Sequence, residues 1–187
     1  MELYSNDKLF KEAIGAFIMA SSEMEFAITS LCSILGEDPR LHQNQFLEIF
    51  GKPLNKKREL IGEFIKTHLP DLLVEWIEIN VSIGRINSDR RHLVHGFTQY
   101  YLPHEHIETF VNKNGQVEKK RFTITDIKAL TEKIHHINTG DNGIQGVFNT
   151  KLFVARINTW NYKVEPEMRM VYSVNNKILS NWKGKNS

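Results

Sequence analysis

The chain has 187 residues, 41% of them hydrophobic and 25% charged, with a formal net charge of +2. That length suits one domain with a substantial core, and the balance is ordinary for a globular protein. A charge so close to zero excludes nucleic-acid binding driven by the field of the whole molecule, so any anion site must come from local clustering.

The opening MELYSNDKLF is charged and lacks a long apolar run, so no secretory signal is expected. IGAFIMA is too short to span a membrane before Ser21, Ser22 and Glu23 interrupt it, and the expectation is a cytoplasmic protein with no membrane partner. Residues from about Asn6 to Leu35 carry apolar side chains at helical spacing (Phe10, Ile14, Phe17, Met24, Ile28, Leu31), with Asn6 or Asp7 as N-cap and Gly36 as the stop. Glu23 and Glu25 interrupt this helix in its middle. The single cysteine, Cys32, excludes an internal disulfide and sits in the apolar pattern ITSLCSIL, which predicts a buried thiol.

GEDPRLHQ reads as a turn and NQFLEIFG as a short helix ending at Gly51. Leu54 to His68 is a second amphipathic helix, broken by LPD, because Pro70 disfavours helix at Leu69. The segment from Asp71 to Gly96 spaces Leu72, Leu73, Trp76, Ile79, Ile83, Ile86, Leu93 and Val94 as a helix, with Asp71 as N-cap and Gly96 as stop. FTQYYL, IETFVN and VEKKRFTI are β-like, and the Asn114-Gly115 pair is a hairpin signal. A helix resumes in TITDIKALTEKIHHIN with Thr125 as N-cap, while VFNTKLFVARINTW fits helix or strand. The expected organisation is a helical domain over residues 1–140, with a hairpin at 97–124, and a C-terminal extension at 141–187.

The chain holds no nucleophile elbow, P-loop or dinucleotide glycine fingerprint, and no cofactor is expected. His92 and His95, His104 and His106, and His135 and His136 lack recognised zinc spacing, so no metal is expected either. The outstanding stretch is SDRRHLVHGFTQYY, with two arginines and two histidines in six residues. Guanidinium holds phosphate through parallel hydrogen bonds and keeps its charge. Imidazole exchanges protons near neutral pH. Together they can run metal-free RNA cleavage, in which the substrate supplies its own 2′-hydroxyl as nucleophile.

R-R-H-L-V-H-G resembles the signature of the HEPN (higher eukaryotes and prokaryotes nucleotide-binding) superfamily, whose ribonuclease members carry Arg, four to six residues, then His near the end of a core helix. Arg90 and His95 fall on the motif positions, with Leu93 and Gly96 where the family has an apolar and a small residue. Arg91 departs from the Asn, Asp or His common after the motif arginine. The resemblance covers about residues 6 to 138. It implies a mainly α, antiparallel helical bundle with a β-hairpin insertion after the motif helix, acting as a homodimer on RNA. In that reading His95 is general acid/base, Arg90 stabilises phosphate, and Arg91 and His92 assist. The setting it implies is a toxin with an antitoxin partner, or phage defence. A non-catalytic HEPN-like module that binds a nucleotide or a protein is the alternative.

Helical geometry sets Arg90 and His95 roughly 140° apart, with Arg90 on the apolar side. Three resolutions stand open: the helix unwinds before His95, a second protomer completes the site, or Arg91 is the phosphate ligand. An inward Arg90 needs a carboxylate, for which Glu23 and Glu25 are the candidates. Arg85 with His92 fits the motif spacing as well. Phe97, Tyr100 and Tyr101 are expected to pack under the hairpin, although they can also stack on bases. Lys113, Lys119, Lys120 and Arg121 suit either a solvated hairpin or an RNA-contacting edge.

Overall fold

The computed structural model describes residues 2–35, 42–101, 106–140 and 143–159. Six helices and one small sheet follow in chain order: α1 (Glu2–Ile34), α2 (His42–Phe50), α3 (Leu54–His68), α4 (Leu73–His95), β1 (Phe97–Tyr101), β2 (His106–Lys113), β3 (Gln116–Thr123), α5 (Ile124–Thr139) and α6 (Val147–Thr159). The fold is mainly helical, with a three-stranded antiparallel sheet in the order β1-β2-β3.

The long α1 packs against α2, α3, α4 and α5. Its buried stripe of Phe10, Phe17, Met24, Ile28 and Leu31 follows helical spacing and meets Ile61 and Ile65 of α3, Ile83 and Ile86 of α4, and Ile127 and Ile134 of α5 in one core. By length and composition α1 is apolar enough to cross a membrane over Asp7–Ile34, although 56% of its most apolar stretch is buried in this fold. Cys32 is buried, and burial pushes its thiol up to about 12. Its Sγ donates to the Lys57 carbonyl at 3.1 Å.

Several expected boundaries move. α1 starts at Glu2, so neither Asn6 nor Asp7 caps it; Asp7 instead pairs with Lys11 one turn on, at 2.6 Å. The Gly36 stop lies outside the described residues. Pro70–Leu72 forms a 3-10 turn that absorbs Asp71, and α4 begins after Leu72 without a side-chain cap. On α5 the cap is Thr123, not Thr125: Thr123 and Asp126 form a reciprocal capping box. The expected boundary at 140 falls inside the core, because α6 contributes Phe148, Leu152 and Ala155, and Phe148 stacks on Trp76 at 5.8 Å. The ambiguous VFNTKLFVARINT is helix.

Two turns place the sheet. Asn114 and Gly115 both take positive φ (55° and 83°) and close β2 on β3 as a two-residue hairpin. Gly96 ends α4 in extended conformation, and a Cβ there would collide with the His92 carbonyl oxygen. Only glycine lets the chain leave the helix so tightly and enter β1 beside it. Gly96→Ala is expected to cost about 1–3 kcal/mol, the range for forced overpacking, checked by denaturant unfolding.

Candidate functional site

The last three turns of α4 and the tip of the β2–β3 hairpin enclose a cleft of about 450 Å³. Gly84, Asn87, Ser88, Arg90, Arg91, His92 and His95 line it from the helix, and Lys113 and Glu118 from the hairpin. Arg90 and His95, the two motif residues, thus face one cavity. Helix α4 continues through His95, so unwinding does not bring them together. Arg90 sits on the core side as the helical geometry requires, and its long side chain reaches the edge of the cleft with 29% exposure.

The inward arginine has its carboxylate. Arg90 Nη1 donates to Glu25 Oε2 at 2.8 Å. Glu25 also faces Lys57 Nζ at 3.5 Å, and Lys57 is 1% exposed. Lys57 further donates to the Phe50 carbonyl at 3.1 Å. One mid-helix acid of α1 therefore ties α3 to the motif helix. Glu23, the other candidate, is exposed and takes no part in the cleft.

Arg91 is exposed and donates to the Asn112 carbonyl at 2.6 Å, which pins the hairpin to α4. A guanidinium has five donors, so this bond leaves several for a ligand. Lys120 reinforces the attachment through Asp89 at 2.8 Å and Ser88 at 3.3 Å. Lys113 pairs with Glu118 at 3.5 Å on the cleft wall. The hairpin cations are thus held in specific ion pairs, beyond a merely solvated edge.

His92 is 1% exposed, beneath the hairpin. Its Nδ1 lies 3.1 Å from Thr109 Oγ1, and that hydroxyl donates to the Lys120 carbonyl at 3.4 Å. With the Thr109 proton so directed, Nδ1–H is the donor and Nε2 carries the lone pair. Nε2 is buried without a hydrogen bond, with Glu118 at 3.9 Å. Burial and then the Lys120 charge hold this imidazole below its ordinary value, against the opposing pull of Glu118 and Asp89. Buried at the cleft lining and bonded to β2, His92 braces the hairpin. Arg85, exposed and outside the cleft lining, does not pair with it in a site.

Because its folded pKa lies below the unfolded one, the unfolded chain binds the His92 proton more readily. Stability is therefore full above the ordinary imidazole value near 6.5 and falls as pH drops from there through the lowered folded pKa. Urea unfolding of wild type between pH 7.5 and 5.5 is expected to show this loss, and His92→Gln is expected to flatten it.

His95 is exposed on the cleft wall, open to a substrate. His135 and His136 are exposed on α5, His106 is half-buried, and His104 lies outside the described residues. Among the described residues no three His, Cys, Asp or Glu side chains converge to hold a metal ion. Phe97 does not pack under the hairpin: it is 74% exposed on β1. The side chains of Tyr100 and Tyr101 lie outside the described set. Sequence reasoning missed Asn87, Glu118 and Lys57. Of these, Lys57 was signalled by its place in the row Leu54, Lys57, Ile61 on the apolar face of α3.

No protein-family model, curated protein or solved structure matches this chain.

Proposed function

We propose that the chain is a metal-independent endoribonuclease of the HEPN type. The observation that carries the reading is that Arg90 and His95, roughly 140° apart around α4, line one cleft together with Arg91 and Lys113. In the reaction the ribose 2′-oxygen bonds to phosphorus as the P–O5′ bond breaks, leaving a 2′,3′-cyclic phosphate and a 5′-hydroxyl. His95 exchanges the proton at one of these oxygens, and the arginines meet the charge on the phosphorane.

A second copy of the chain would supply the other proton-transfer group. Val74, Ile77 and Val81 are 69%, 50% and 46% exposed on α4. They share a sector of roughly 60° with Ser88 and His95. A homodimer through that stripe would place two clefts side by side. A role as a toxin with an antitoxin, or in phage defence, follows from the family resemblance alone.

Glu118 favours a second reading. Its carboxylate stands in the cleft, and both arginines already hold protein oxygens. That suits a non-catalytic HEPN-like module that binds a nucleotide or a protein. Incubation with a mixed RNA pool in EDTA separates the two. The enzyme generates cyclic-phosphate ends that His95→Ala abolishes. The module binds nucleotide without turnover in either form.

A further inference from the structure

We propose that the outward face of the sheet is a platform for single-stranded RNA, on which bases stack against Phe97 and Phe110 while Lys119 and Arg121 meet the phosphates. The strand register builds it. Phe97, Phe110 and Lys119 lie opposite one another across the three strands, and Gln99, Glu108 and Arg121 form the adjacent row. Alternate residues of a strand share a face, so both rows point the same way. The other face carries Ile107, Thr109, Val111 and Phe122, all buried.

Phe97 is 74% exposed on an edge strand. Natural edges are usually blunted by charge or cover, so a bare ring there contributes little to the fold itself. Beside it Lys119 Nζ stands 5.7 Å from the centre of the Phe110 ring. Glu108 is 3% exposed and fixes both cations, Lys119 at 2.7 Å and Arg121 at 3.3 Å. Two cations, one from each row, against one carboxylate leave this pair of rows net positive. Rings that accept any base, flanked by positioned cations, are the chemistry of single-strand recognition. The same cations disfavour a second copy on this face, since a two-fold contact would set them against themselves.

The position fits a strand passing through the cleft, a continuation that rests on the ribonuclease reading. Phe97 follows His95 by two residues, and Lys113 of the cleft wall lies three residues from Phe110 on β2.

The test is fluorescence polarisation at fixed salt with a short labelled RNA whose riboses are 2′-O-methylated, so that 2′-hydroxyl attack cannot occur. Phe97 is the residue to change, because altering Lys119 or Arg121 would strand the buried Glu108. The single strand is expected to bind at least about tenfold more tightly than a duplex of equal length. Phe97→Trp is expected to preserve binding, whereas Phe97→Leu and Phe97→Ala weaken it about tenfold, within the range for one lost base stack. Equal binding of strand and duplex, or wild-type affinity in Phe97→Leu, would overturn the proposal. So would a Phe97→Leu variant that changes sedimentation but not RNA binding, which would assign the face to a second copy. Because the probe cannot be cleaved, binding that depends on the Phe97 ring stands even if no RNA is ever cut. Cleavage that persists with unchanged Phe97→Leu affinity removes the platform alone.

Discussion

Glu25→Gln is expected to destabilise the fold by about 3 kcal/mol, the lower end of the cost of breaking a buried ion pair. The substitution keeps the shape and removes the charge that Lys57 and Arg90 share. Arg90 and Glu25 keep 29% and 31% exposure, so solvent screens that arm. Lys57 has 1% exposure and no such relief. Phe50 still meets it through its carbonyl and its ring, neither of which carries a net charge. For a chain of this size the loss corresponds to roughly 6–12 °C in the unfolding midpoint. The double variant Lys57→Met with Glu25→Gln is expected to recover part of it, since a methionine tolerates the same pocket without a counter-charge. A Glu25→Gln variant that melts like wild type would show that the pair contributes no stability and that Glu25 serves only to aim Arg90.

That network marks the limit of what the sequence made legible. The need for a carboxylate behind Arg90 was readable from helical geometry, because an arginine among Leu93 and Val94 cannot stay buried alone. The choice between Glu23 and Glu25 was readable only weakly. Taking Phe17 as the centre of the buried stripe, Glu25 lies roughly 80° away and Glu23 roughly 120°, both at its margin. Packing of α3 and α4 against α1 decided it. Thr123 could have been recognised as the cap of α5, since Asp126 stands three residues on, as a capping box requires. The hairpin at Asn114-Gly115 was written locally, in two residues that tolerate positive φ. The direction of Phe97 was not, because a strand's inner face is set by what packs on it. Here α4 and α5 take the opposite face, and the ring is left outside. Segment α6 was ambiguous because its β-branched residues suit a strand; the chain is helical there and sets Phe148 against Trp76.

His95→Ala is expected to lower RNA cleavage by roughly two to four orders of magnitude, the range a positioned acid or base supplies. His95 is exposed, so the variant should unfold like wild type, and the loss should fall on kcat. Arginine is harder to separate from structure. Arg90→Ala would remove phosphate contact and unbalance Glu25 together. Arg90→Lys keeps a cation beside Glu25 but loses the planar fork that grips phosphate, so it isolates the chemistry. If Arg90 is the ligand, Arg90→Lys loses activity at near wild-type stability, while Arg91→Ala keeps most of it. If Arg91 is the ligand, the pattern reverses, with a modest loss of stability as its bond to the Asn112 carbonyl goes. Arg85→Ala should change neither, because Arg85 stands outside the cleft and its motif partner His92 is buried beneath the hairpin. Activity lost in Arg85→Ala and kept in His95→Ala would move the chemistry to the Arg85–His92 register. A partner-supplied site makes one more demand. Mixing His95→Ala with Arg90→Lys protomers should restore part of the cleavage, since one intact residue of each kind can then meet across the two-fold axis. Two inactive variants that regain activity together would place the reacting phosphate between subunits, and two that stay inactive at every ratio would confine it to one.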